Sequence, residues 1–187
     1  MLGAVRGYRE RMELVGKRVV TRRVQATPED VWAVLADGWS YVAWVVGASR
    51  MRAVDADWPA DGAKLHHSAG VWPALIDDET QVVGTDPGRR IELIARGRPL
   101  GEARVTITVQ ADGDGSLVRL VEDVVSGVSR IVPRQVRQLA LLPRNVETLR
   151  RLGFLAERRT APDAERRTAP DAERRTAPDE VPDVTQP

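Results

Sequence analysis

Cysteine is absent from the 187 residues, which excludes a disulfide framework, thiolate catalysis and any thiolate-held metal. Histidine occurs only as the adjacent pair His66 and His67. Neighbouring side chains on a strand point to opposite faces, so these two cannot grip one ion, and no metal site is expected. Lysine is confined to Lys17 and Lys64 among 28 basic residues, and the preference for arginine reads as coding bias rather than a recognition device. No apolar run approaches the roughly 20 residues that span a bilayer. The first stretch interleaves Arg6, Arg9, Glu10, Arg11 and Glu13 with apolar residues and so lacks the apolar segment of a signal peptide. A cytoplasmic location without stable membrane insertion is the expectation. No glycine-rich phosphate loop follows a strand, Ser68 and Ser126 lack a nucleophile elbow, and nothing implies a cofactor.

What is present is a sizeable core, with 42% apolar residues, in a chain of formal net charge +1. Its length fits one domain, or one domain with a tail. Residues 1–156 hold 22 basic and 19 acidic groups. Their signs alternate along the chain instead of forming the basic stripe a nucleic-acid partner needs, so none is expected. The tail begins at Glu157: ERRTAPDA occupies Glu157–Ala164, recurs at Glu165–Ala172, and recurs with one change at Glu173–Glu180. A proline in each copy and no large apolar side chain predict disorder over 157–187, and a partner-recruiting tail is one functional alternative. Residues 1–16 carry a weak helical pattern (Val5, Tyr8, Met12, Val15), with Met12 an alternative start.

Between these ends the periodicity is that of strands. Val19, Val20, Thr21 and Val24 mark a first strand over Arg18–Gln25. Thr27 then caps a helix, Pro28 sits where its missing N–H costs nothing, and Asp30 answers at the third position. Asp37-Gly38 stops that helix, and Ser40–Val46 reads as a second short one. Six strands follow at Ser49–Asp55, Lys64–Trp72, Asp78–Thr85, Arg89–Arg96, Glu102–Gln110 and Leu117–Ser126, punctuated by Gly and Pro as an antiparallel meander requires. Asp112-Gly113-Asp114-Gly115 resembles the start of a calcium loop, but Asp123 stands where the closing Glu belongs, so a hairpin turn is expected. The period then becomes helical: Pro133–Leu141 forms a short segment, and Pro143 opens another to about Ala156. Leu142, Val146, Leu149, Gly153 and Ala156 share its inner face, with Arg144, Glu147, Arg150 and Arg151 on the wet side. The fold class is α+β, an antiparallel sheet closed by one amphipathic helix, with a hollow between them as a candidate binding site.

Alternation assigns the inward side chains. Leu93, Val105 and Ile107 are apolar lining, as are Ala69 and Val71 on the third strand. Leu35, Trp32 and Trp44 come from the two short helices, and Leu120, Val146, Leu149 and Gly153 complete the wall. Three inward positions are polar: His67, Asp78 and Glu122. An inward carboxylate demands a counter-group or a shifted pKa. Two readings stay open: the trio grips or protonates the polar end of a ligand, or the strands bend and the acids reach solvent. The five tryptophans gather on the first two helices and the turns beside the second and third strands, suiting either core filling or a mouth for flat ligands.

Val20-x-Arg22-x-Val24-x-Ala26-Thr27-Pro28-Glu29-Asp30-Val31-Trp32-Ala33-Val34-Leu35-Ala36-Asp37 resembles the opening of the START-like helix-grip superfamily (SRPBCC), in its polyketide cyclase/dehydrase and lipid-transport branch. The resemblance covers about residues 17–156. It implies a helix-grip fold, a seven-stranded antiparallel sheet curved around a long C-terminal helix, with a deep hydrophobic cavity. Members bind lipids, steroids or polyketides, and some cyclise or dehydrate polyketides. The expected partner is therefore a hydrophobic small molecule, bound, transported or sequestered. The alternative is a cyclase or dehydratase pairing His67 with Glu122 or Asp78. No catalytic set is shared across the superfamily, so none transfers, and the oligomeric state is not legible.

Overall fold

A computed structural model describes residues 19–71, 73–97, 101–127 and 134–168. Strand β1 (Val19–Val24) leads into helix α1 (Pro28–Leu35), a 3₁₀ turn (Gly38–Ser40) and helix α2 (Tyr41–Trp44). Strands β2 (Ala48–Val54), β3 (Lys64–Val71), β4 (Ala74–Asp86), β5 (Arg90–Gly97), β6 (Gly101–Asp112) and β7 (Gly115–Ser126) follow, and helix α3 (Arg134–Thr168) closes the fold. The seven strands make one sheet in the order β1-β7-β6-β5-β4-β3-β2, with every neighbour antiparallel. The first strand thus completes the far edge, beside the last, and α3 lies over that edge against β1 and α1. The helical pattern read over residues 1–16 lies outside the described residues, as do repeats beyond Thr168.

Local signals account for the elements. Thr27 Oγ1 accepts from the Asp30 N–H at 3.2 Å, and Asp37 Oδ1 accepts from the Trp39 N–H at 3.2 Å. These caps satisfy two amides that have no partner within their own turns. The helix expected over Ser40–Val46 is a single α-turn, Tyr41–Trp44, preceded by the 3₁₀ turn that Asp37 caps. The β6–β7 connection is a hairpin whose last pair is Asp112–Gly115. Arg23 reaches Asp112 Oδ2 at 3.4 Å and Asp114 Oδ1 at 4.0 Å, filling the place of a cation.

Two expectations about the last helix are corrected. Helix α3 is continuous from Arg134 to Thr168 instead of restarting at Pro143. Pro143 is exposed, so its lost backbone bond is borne on the wet side, where the gap is solvated. The buried stripe is also turned away from the expected one: Asn145, Thr148, Leu149, Leu152, Gly153 and Ala156 are buried, whereas Val146 is 50% exposed. Two polar residues deceived the pattern. Thr148 faces inward because its Oγ1 accepts from the Val46 N–H at 3.3 Å, tying α2 to α3. The helix also runs past the boundary expected at Ala156, because the first repeat is tethered. Glu157 Oε1 accepts from the Gln25 N–H at 3.1 Å, and the Thr160 hydroxyl donates to Asp30 Oδ2 at 2.7 Å.

The wet side of α3 keeps Glu147 between Arg150 and Arg151, and these hydrogen bonds hold its carboxyl down to about 2. Gly153 lets β1 approach: a Cβ there would lie 3.1 Å from both Arg22 Nε and Val24 Cγ2. Gly115 is tighter still, since a Cβ would stand 2.3 Å from the Val24 carbonyl oxygen. A backbone carbonyl cannot swing aside as a side chain does. Gly115→Ala is therefore expected to prise β1 from β7 and cost about 2 kcal/mol, a fall in Tm of roughly 5 °C by calorimetry.

Candidate functional site

The inner face of the sheet is buried unevenly. Val82, Ile91, Leu93, Ile107, Val109, Val118 and Leu120 pack into one core with Val31, Leu35, Leu149 and Leu152. Further along the same faces, Ala95, Ala103, Val105 and Val124 are only half-buried. Register puts Thr80, Ala95, Ala103 and Val124 side by side across β4–β7, and Val105 beside Glu122. Two of these are alanines, so the sheet here presents a low, apolar floor that solvent touches.

Polar groups stand on both sides of that floor. On β3 and β4, His67 and Asp78 are directly opposite each other and both are buried. His67 Nε2 lies 3.1 Å from Thr80 Oγ1, which in turn lies 3.1 Å from the Tyr41 hydroxyl. The Tyr41 ring is 5.2 Å from the His67 ring and 5.3 Å from Trp44, edge to face with the latter. Asp78 Oδ1 accepts from the Glu79 N–H at 2.9 Å, and Arg52 donates to the Asp78 carbonyl at 3.3 Å. On β7, both oxygens of the buried Glu122 accept from Arg144 of α3.

Sequence reasoning brought His67, Asp78 and Glu122 together as inward groups, and all three are buried. His67 and Asp78 are neighbours. Glu122 is not: β4, β5 and β6 lie between its strand and β3, and its carboxylate is engaged by Arg144. Of the expected lining, Leu35, Trp44, Leu93, Ile107, Leu120 and Leu149 are core, while Trp32 and Val105 pack at its margin. Ala69 is half-buried, the Val71 side chain lies outside the described residues, and Val146 faces solvent. Three participants were missed. Tyr41 sits three residues before Trp44, a helical spacing that puts both on one side. Thr80 is two residues from Asp78 on the same strand face. Arg144, assigned to the wet side, is the counter-group that an inward Glu122 required.

Burial shifts two of these groups. It pushes the Tyr41 phenol up, partly offset by the Thr80 hydrogen bond, with Arg144, Glu122 and Asp78 close enough to act on it. It pushes the His67 imidazole below its usual value, against the pull of the Asp78 carboxylate. With the folded value depressed, the unfolded chain takes up a proton first as pH falls through about 6.5. The contribution of His67 to stability is then present above that value and lost below it. The Tm advantage of the wild type over His67→Gln is expected to shrink between about pH 8 and about pH 5, read from paired thermal melts. An unchanged difference would contradict the depressed value.

The seven-stranded antiparallel sheet and the long C-terminal helix laid on it define a START-like, helix-grip protein. The chain belongs to the polyketide cyclase / dehydrase and lipid transport family, whose family model matches residues 17–153. Among solved structures it is similar to protein CV1439 of Chromobacterium violaceum at TM-score 0.55 and 19% identity, covering 76% of this chain and 98% of that one. It is similar to NE0264 of Nitrosomonas europaea at TM-score 0.60 and 14% identity, with coverages of 78% and 96%. A third likeness, at TM-score 0.61 and 12% identity, is to the di-domain ARO/CYC StfQ from the steffimycin biosynthetic pathway, covering 78% of this chain and 51% of that one. At such identities the likenesses establish the fold. No curated protein matches the chain. Among the described residues no helix is long and apolar enough to cross a membrane.

Proposed function

We propose that the protein binds a hydrophobic small molecule, a lipid or polyketide, over the floor formed by Ala95, Ala103, Val105 and Val124. The observation that carries this reading is the partial exposure of those apolar inward residues beside a core in which Val82, Leu93, Ile107 and Leu120 of the same face are buried. Apolar surface that stays wet beside a finished core gains free energy when a guest covers it, about 25 cal/mol per Å². Small residues there leave room for that guest. The test is addition of fatty acids, sterols and aromatic polyketides while following tryptophan fluorescence and Tm, with native mass spectrometry of protein from its own host. A co-purifying or titratable apolar ligand supports the reading. No response to any of them sinks it.

A second reading, an acid–base enzyme of the cyclase or dehydratase type, is favoured by one observation: the hydrogen-bonded chain from His67 through Thr80 to Tyr41. Such a chain can hold and move a proton beside a bound carbonyl compound. Asp78, directly opposite His67, is the nearer partner in this reading, while Glu122 is held by Arg144. In this reading His67→Gln lowers turnover of a bound polyketide far more than it weakens its binding. A wild type that returns every bound compound unchanged removes the enzyme and leaves the binder.

A further inference from the structure

Five buried side-chain polar atoms lack a partner in good hydrogen-bond geometry among the described residues: Arg22 Nε, Trp44 Nε1, His67 Nδ1, Thr85 Oγ1 and Arg144 Nε, although the Ser68 backbone also acts on the His67 ring. Only two of them belong to residues that are themselves more than nine-tenths buried, Trp44 at 3% exposure and His67 at 4%. Both flank the same ring, that of Tyr41, at 5.3 and 5.2 Å. Other buried polar side chains nearby are satisfied within the protein. Tyr41 and Thr80 bond each other. A buried polar atom without a partner is rare enough to require a reason, and two beside one ring point to a group that arrives from outside.

We propose that Trp44 Nε1 and His67 Nδ1 form the specificity subsite of the ligand site, donating hydrogen bonds to carbonyl oxygen of an otherwise apolar guest. The proposal rests on the small-molecule reading above and goes beyond it by naming the chemical group that is selected. An indole N–H only donates, so Trp44 demands an acceptor. Histidine can match it in one tautomer. With the proton on Nδ1, Nε2 accepts from the Thr80 hydroxyl, and Thr80 Oγ1 accepts from the Tyr41 hydroxyl. The wiring is self-consistent: a phenol that burial keeps protonated heads the chain, and each proton points toward the guest. A neutral imidazole, kept so by burial, suits a neutral acceptor. The Asp78 carboxylate opposite His67 disfavours a second full negative charge, although Arg52 tempers it. The subsite therefore selects ketone over carboxylate and over plain hydrocarbon. A site built to bond an oxygen rejects the analogue that lacks it, because its own donors are then left unpaired.

The experiment uses two probes that differ by one oxygen, 2-acetylnaphthalene and 2-ethylnaphthalene, titrated into the full chain. The wild type is expected to bind the ketone about tenfold more tightly. Trp44→Phe and His67→Phe should bring the two affinities together by weakening the ketone alone. His67→Asn, whose amide can place an N–H near the former Nδ1, should restore part of the preference. Nitrogen-15 NMR of the unliganded wild type supplies a readout independent of any variant's folding: it should show His67 protonated on Nδ1 only, and the Trp44 indole N–H should shift with the ketone and not with the hydrocarbon. Equal binding of both probes by the wild type, or a His67 proton on Nε2, overturns the subsite and leaves the small-molecule reading standing. Failure of both probes to bind overturns the subsite, and overturns the small-molecule reading too when the fatty acids, sterols and polyketides also fail.

Discussion

Arg144→Ala is expected to destabilise the protein by about 3 kcal/mol, because it strands a buried carboxylate. Glu122 has only 4% of its side chain exposed, whereas Arg144 is 39% exposed and reaches in from α3. Removing the arginine leaves Glu122 charged in apolar surroundings, with Val105 beside it and the floor alanines nearby. The partial exposure of Arg144 places the estimate at the low end of the range for breaking a buried pair. Glu122→Gln in the same chain should recover most of the loss, since a neutral amide tolerates the site. Urea denaturation of the two single variants and the double variant gives the coupling directly. A coupling near zero would show that the two side chains do not depend on each other.

Leu152→Ala is expected to cost about 3–4 kcal/mol. Leu152 is fully buried on the stripe that α3 lays on β1 and α1. The surrounding side chains come from three elements, so the cavity left behind cannot close by moving one of them. Leu152→Met, which conserves volume, should cost less than about 1.5 kcal/mol. Val146→Ala, seven residues before Gly153 and half exposed, should change stability by less than about 0.5 kcal/mol. Denaturation midpoints for the three variants decide between the stripe described here and the one read from apolar spacing. Under the apolar-spacing stripe, Val146 would be the costly position.

That contrast shows where the sequence was legible. Strand alternation is a two-residue rule enforced by backbone geometry, so Leu65, His67, Thr80, Val82, Leu120 and Glu122 all fall on the inner face, as alternation requires. The helix start at Thr27-Pro28 was equally legible, because capping chemistry is local. The face of α3 was not. Its inner stripe includes Asn145 and Thr148, whose burial is decided by partners distant in sequence, such as the Val46 amide. The same holds for the site. His67, Asp78 and Glu122 announce themselves as ionisable groups on apolar faces, but which strand is whose neighbour determines that His67 meets Asp78 while Glu122 meets a helix. Tyr41 gave almost no signal, since its role depends on α2 folding back over β3 and β4.

The docked first repeat changes what counts as the smallest autonomous piece of this protein. The family match ends at residue 153, yet the Gln25 amide is bonded by Glu157, and Thr160 adds a second hydrogen bond to the Asp30 carboxylate beside that of Thr27. A chain cut after Ala156 would expose an edge amide and loosen the start of α1. It should melt a few degrees below one that ends at Thr168, as expected for the loss of about 1 kcal/mol. Selection acting on the leading Glu-Arg-Arg-Thr unit would then act in part through the stability of the fold it is docked on.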